Sequence, residues 1–93
     1  GAGGGTGISV DYYALTLTAD ASLTRTVAAA GTILIVDVTQ DGTGGWDLTP
    51  DADFEDVESP LDIAVTASAR TTVTFYSTGS KWRKLPGGKE IKE

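Results

Sequence analysis

Apolar and polar residues alternate along most of this chain with a period of two, the period of a strand rather than of an amphipathic helix. Ile8, Val10 and Tyr12 alternate with Ser9 and Asp11, after which the phase slips by one and Tyr13, Leu15 and Leu17 take over. Such a slip predicts a bulge or bend inside the first strand. Residues 21–28 read as a weaker strand, with Leu23 and Val27 on one face and Thr24 and Thr26 on the other. Residues 32–39 are apolar on both faces and predict a central strand covered on both sides. A short strand with Trp46 and Leu48 stops at Pro50. Residues 61–67 (Leu61, Ile63, Val65 and Ala67 on one face) and 71–77 (Val73, Phe75) follow, and a turn at residues 78–80 returns residues 81–85 as a hairpin partner.

The 14 threonines, with valine and isoleucine, strengthen this reading, because a branched β-carbon suits a pleated surface and crowds a helix. The expected fold is all-β: a small antiparallel sandwich or barrel of about six to eight strands. A 93-residue chain has material for one core, placed here in residues 8–85. Residues 1–7 are rich in glycine and read as a flexible linker or a cloning remnant, and residues 86–93 as a frayed tail.

Composition narrows the chemistry. The chain has no histidine, cysteine or methionine, which removes disulfides, thiol nucleophiles, imidazole bases and histidine metal ligands. A net charge of −6 argues against nucleic-acid binding, which needs lysine and arginine on a shared face. The longest apolar run, Ile33 to Val36, is far short of a membrane helix, so no insertion is expected and the domain reads as soluble. Charge is unevenly placed, with residues 1–80 carrying −9 and residues 81–93 carrying +3. A basic tail on an acidic body is either solvated or a handle for self-association.

Residues 51–60 read as an irregular acidic surface loop. Asp51, Asp53 and Glu55 there raise a calcium site, but they lack the glycine and terminal glutamate of a calcium loop. A glycosidase pair of carboxylates is a further reading, set aside because so small a domain offers no evident groove. Neither a metal nor a cofactor is expected, and no catalytic residue is assigned. Asp37 interrupts the apolar third strand and needs a partner. Arg25, on the preceding strand, is the natural one, as a structural or an intersubunit pair. Tyr12 and Tyr13 are adjacent on a strand and must face opposite ways, while Phe75 and one tryptophan should be core.

The segment Thr39-Gln40-Asp41-Gly42-Thr43-Gly44-Gly45-Trp46 is the most distinctive text. Asp41 can cap its own turn by accepting backbone N–H bonds, with Gly42, Gly44 and Gly45 relieving strain. No Gly-Lys-Ser/Thr follows, so it is not a phosphate loop. Nearly the whole chain resembles a module of tailed bacteriophages, found in tail-fibre, baseplate and minor tail proteins, whose central strand ends in a Gln-Asp-x-Thr-Gly-Gly turn followed by a short apolar strand. The early Leu15-Thr16-Leu17-Thr18 strand, the branched strand from Gly31 to Val38, residues 61–69 and the closing Gly79-Ser80-Lys81-Trp82 match in order. The chain departs from the module at Trp46, where relatives often carry a base, and in residues 51–60.

The resemblance implies a non-enzymatic virion protein of a tail fibre or tail tip, a homotrimer binding other virion tail proteins and a host-surface glycan or protein receptor. Residues placed for receptor contact are Trp46, Asp53, Phe54, Tyr76 and Trp82. The rival readings are a monomeric carbohydrate-binding module that stacks sugar on Trp46 or Trp82 and a capsid decoration or scaffold piece.

Overall fold

The computed structural model describes residues 9–92. Among them there is no helix, and the fold is all-β. Seven strands form: β1 (Val10–Leu17), β2 (Ala21–Leu23), β3 (Ile33–Gln40), β4 (Leu48–Pro50), β5 (Phe54–Glu55), β6 (Arg70–Ser77) and β7 (Trp82–Lys92). Five pair in the order β1-β3-β6-β7-β5 to make a curled sheet, and β2 pairs with β4.

The sheet is mixed, not purely antiparallel. β3–β6 and β6–β7 are antiparallel, whereas β1–β3, β2–β4 and β5–β7 are parallel. The connection over residues 18–32 is the cause: it is long enough to cross over and bring β3 back parallel to β1. On its way it lays down only Ala21–Leu23 as strand, so the strand expected over 21–28 is confined to its first three residues.

β1 runs in unbroken register with β3, from Val10 beside Ile33 to Leu17 beside Gln40. The phase slip therefore marks no bulge. Tyr13, Leu15 and Leu17 face the core, and Val10 and Tyr12 are apolar residues on the open face, exposed at 55% and 60%. The slip in hydrophobicity is a change of face, not of geometry; Ile8 lies outside the described residues.

The core sits on one side of the sheet. Leu34, Val36 and Val38 of β3 stand beside Phe75, Val73 and Thr71 of β6, all buried. Trp82 and Phe54 extend the same face of the curled sheet, and Leu23, Leu48 and Leu61 from outside it complete the cluster. The prediction of a central third strand holds, with its second face half-covered rather than buried. Phe75 is the core aromatic expected, and Trp82 is the tryptophan.

Three segments depart from expectation. Residues 61–67 alternate like a strand but make none, because their backbone groups bond to the 40–45 turn and to side chains. Gly45 N–H donates to the Val65 carbonyl at 2.7 Å, Leu61 N–H to Leu48, and Ala64 N–H to Thr71 Oγ1. Residues 86–92 belong to β7 and are not frayed; 89–92 pair with the first half of β6, Val73 beside Lys89 through Arg70 beside Lys92. The register shifts between Val73 and Phe75, where Pro86 and Gly87 accommodate the bulge and Gly88 passes so close that a Cβ would lie 2.9 Å from the Leu85 carbonyl. The acidic segment is not wholly irregular either. It contributes β5 and buries Phe54 edge-on against Phe75, ring centroids 5.0 Å apart.

The charge asymmetry has a local explanation. β7 lies beside the acidic segment, and Arg83 bonds Asp56 at 2.5 Å and approaches Glu55, Lys84 reaches Glu58, Lys89 bonds Asp62 and Lys81 Nζ donates to the Ala52 carbonyl. The ion pairs are exposed, each worth about 0–1 kcal/mol, but together they engage Arg83, Lys84 and Lys89 of the basic strand within the chain.

Candidate functional site

The residues placed for receptor contact do not converge. Phe54 and Trp82 are core, at 7% and 1% exposure, and they stand side by side in the β5–β7 ladder. Asp53 is half-buried, and its carbonyl accepts the Trp82 N–H at 2.8 Å. Trp46 is half-buried, its Nε1–H donating to Asp41 Oδ1 at 2.9 Å. Only Tyr76 lies on the open face, beside Ile33 and Arg83.

The distinctive turn is a structural lock. Asp41 Oδ1 accepts the N–H groups of Thr43 and Gly44 as well as the Trp46 indole. Gln40, buried at 2% exposure, donates to the carbonyls of Trp46 and Ala64 and accepts the Trp46 N–H. Gly44 and Gly45 take positive φ as expected, while Gly42 does not, so it relieves no strain. These bonds hold Asp41 below the usual carboxylate range, the Gly44 N–H foremost.

The open face of the sheet carries a second cluster of joined polar groups, built around a buried carboxylate. Alternation along β3 sends Asp37 outward, yet it is only 5% exposed. Its partner is not Arg25, which instead lies over the Tyr13 ring, 4.9 Å from the centroid. Arg70 Nε–H donates to Asp37 Oδ1 at 2.8 Å, with the Thr72 hydroxyl at 3.4 Å, and the Tyr12 hydroxyl donates to Oδ2. The register explains the choice: Thr72 is opposite Asp37, and Arg70, two residues earlier, is the diagonal neighbour on the same face. Arg70 was missed because it lies distant in sequence; once 32–39 and 71–77 are read as paired strands, it is the base within reach.

The Arg70 bond is the main cause that draws Asp37 below its ordinary pKa, against the opposing effect of burial. The same bonds raise Tyr12, through Asp37, and Arg70, also through Asp37. Asp37 thus stays ionised with three donors on it, which suits it to hold Arg70 and Tyr12 in place and not to take protons. Beside it, small Ala14 leaves a concavity of about 360 Å³ lined by Tyr12, Thr16, Thr39 and Arg70. A second, of about 470 Å³, lies by Arg25 and Asp11.

Asp51 and Asp53 do not present a cation cage. Asp51 Oδ1 accepts the Asp53 N–H at 2.9 Å, capping the local turn, and Glu55 faces Arg83. Among the described residues no three acidic side chains are grouped to hold a metal ion, and no helix is long and apolar enough to cross a membrane.

Acid should weaken the fold through this chemistry. Asp37, Asp41 and Asp62 all have folded-state pKa values lowered by their donors, chiefly Arg70, the Gly44 N–H and Lys89 respectively. A lowered carboxylate stabilises the fold above its unfolded pKa, about 3.9, and loses that contribution as pH falls through the folded value. The melting temperature is expected to hold from neutrality to about pH 5 and to fall below about pH 4, less steeply in Asp37→Asn. Thermal melts over that range test it, and a flat profile to pH 2 would contradict the assigned pairs.

No protein-family model matches the chain, and no curated protein or solved structure matches it either.

Proposed function

We infer that this domain is a non-enzymatic attachment and assembly module of the bacteriophage tail-fibre or tail-tip kind, working as a homotrimer on a virion tail and contacting a host surface. The observation that carries the reading is the Gln40–Gly45 turn. The residues through which the chain resembles that module are those that tie the end of β3 to residues 61–69, so the resemblance falls on the bonds that organise the fold.

Two surfaces serve assembly and attachment. Among the described residues the outer edge of β1 pairs with no other strand, and Val10, Tyr12, Ile33, Ile35 and Tyr76 share the open face. Three copies on one axis would present three weak contact sites at once, and avidity would multiply them. Receptor, tail partners and position in a fibre belong to this same reading.

A carbohydrate-binding module acting as a monomer is the second reading, favoured by the concavity beside Tyr12 rather than by either tryptophan. Sedimentation or light scattering over a concentration series separates the two. A mass of three chains is expected; a strict monomer at all concentrations would overturn the trimeric attachment reading and leave the module.

A further inference from the structure

We propose that the concavity beside Asp37 binds a carboxylate-bearing sugar, such as a uronic acid, with Arg70 gripping the carboxylate. The sugar part of this assignment rests on the attachment reading; the carboxylate part rests on Arg70 itself.

A guanidinium offers five N–H donors in a rigid planar fork. In Arg70 the Nε–H is engaged with Asp37, the Tyr12 hydroxyl and Glu90 lie near enough to interact with the guanidinium, and the side chain is still 54% exposed at the concavity. Its anchor does not move easily, since the Asp37 side chain is 7% exposed and also accepts the Tyr12 hydroxyl. An arginine held by a buried carboxylate, with its far edge open, is preorganised for a planar bidentate acceptor, and that lowers the ordering cost of binding.

The surroundings favour a sugar acid over a simple anion. Thr16 and Thr39 bring hydroxyls to the same hollow, and the Tyr12 ring, 60% exposed, gives a wall for the C–H face of a pyranose. A volume of about 360 Å³ is at the small end of ligand sites, room for one or two sugar rings. Asp37 is 7% exposed in its side chain and already accepts three donors, so discrimination falls to the arginine. Lys92, directly across the ladder from Arg70, adds a cation, while Glu90 opposite Thr72 offsets it. With charge nearly balanced around it, the site should bind in the millimolar range, weak alone and useful when repeated.

The test is a titration of the full chain, followed by amide chemical shifts, with sodium galacturonate, its methyl ester, galactose and inorganic phosphate. Saturable shifts at Tyr12, Thr16, Thr39 and Arg70 with galacturonate, absent with ester and galactose, are expected. Arg70→Lys, which keeps the charge and loses the fork, should weaken binding about tenfold. No saturable shift, equal shifts with the ester, or equal shifts with phosphate would each overturn the assignment, and the ester comparison needs no variant to fold. A trimer whose spectrum galacturonate leaves unchanged sinks the sugar-acid site and spares the attachment reading. A monomer that binds galacturonate keeps the site and sinks the trimer.

Discussion

Gly44→Ala is expected to lower the melting temperature by roughly 12–25 °C, corresponding to about 3 kcal/mol in a domain of this size. Gly44 has φ +73°, and a Cβ there would lie 2.6 Å from both the Val65 carbonyl oxygen and the Ala67 nitrogen and 2.9 Å from the Ala67 Cα. The left-handed conformation alone costs a residue with a side chain about 1–2 kcal/mol. Overlap adds about 1–3 kcal/mol more, because every atom met is backbone and no side chain can swing aside. Nor can the two segments simply part, since Gly45 N–H holds Val65 and Ser68 N–H holds the Asp41 carbonyl at 2.9 Å. Its neighbours supply the controls. Gly45, at φ +81° with open space around it, should show only the conformational cost, and Gly42, with ordinary φ and open space, about 0.5 kcal/mol or less. Thermal and urea denaturation of the three variants would rank them, and a Gly44→Ala no worse than Gly45→Ala would rule out the close approach.

That turn was legible in the sequence because its chemistry is local: an aspartate that caps the amides two and three residues on, and glycines where φ turns positive. The third strand and the β6–β7 hairpin were legible for a related reason, a clear period of two bounded by turn residues. What was hidden is long-range. A period of two does not say whether a neighbour runs parallel, so the crossover between β1 and β3 left no mark on either strand. Nor did apolarity mark the core face of β1, because Val10 and Tyr12 join Ile33 and Ile35 on the open side. Residues 61–69 alternate as a strand would, yet the buried Gln40 side chain and the turn claim their hydrogen bonds first. Pro86-Gly87-Gly88 looked like the end of structure and is a bulge within a strand.

The candidate site was half visible for the same reason. Asp37 announced itself as a charge in an apolar run, and Tyr12 as one of two tyrosines on opposite faces. Their meeting, and the choice of Arg70 over Arg25, depends on the register of β3 against β6, which no local pattern encodes. The aromatics singled out for receptor contact failed by the opposite error. In a small β domain a large ring does more for stability inside than out, and two of the five chosen residues, Phe54 and Trp82, are part of the core.

Trp82→Ala should therefore destroy stability, not binding. Trp82 is the largest of the fully buried side chains and its removal is expected to cost about 3–5 kcal/mol, a large share of the roughly 5–14 kcal/mol a chain of this length possesses. The loss spreads to β5, because the Phe54–Trp82 pairing is one of only two that hold that strand to β7. Trp82→Phe separates volume from polarity. The indole Nε1–H is buried and has no hydrogen-bond partner among the described residues, so phenylalanine leaves a smaller cavity and at the same time removes an unsatisfied donor that costs about 1–3 kcal/mol. The two changes oppose each other, and Trp82→Phe should lie within about 1.5 kcal/mol of the parent. Trp46→Ala, which loses a half-exposed ring and one bond to Asp41, should cost about 1–2 kcal/mol. Urea midpoints of the three variants test this ordering. A Trp82→Phe as damaging as Trp82→Ala would mean that the indole N–H is satisfied in solution, and a Trp82→Ala as stable as the parent would remove the ring from the core altogether. Glycan binding lost in Trp82→Ala would accordingly report an unfolded chain, and only substitutions on the open face, at Tyr12 or Arg70, can report on a ligand.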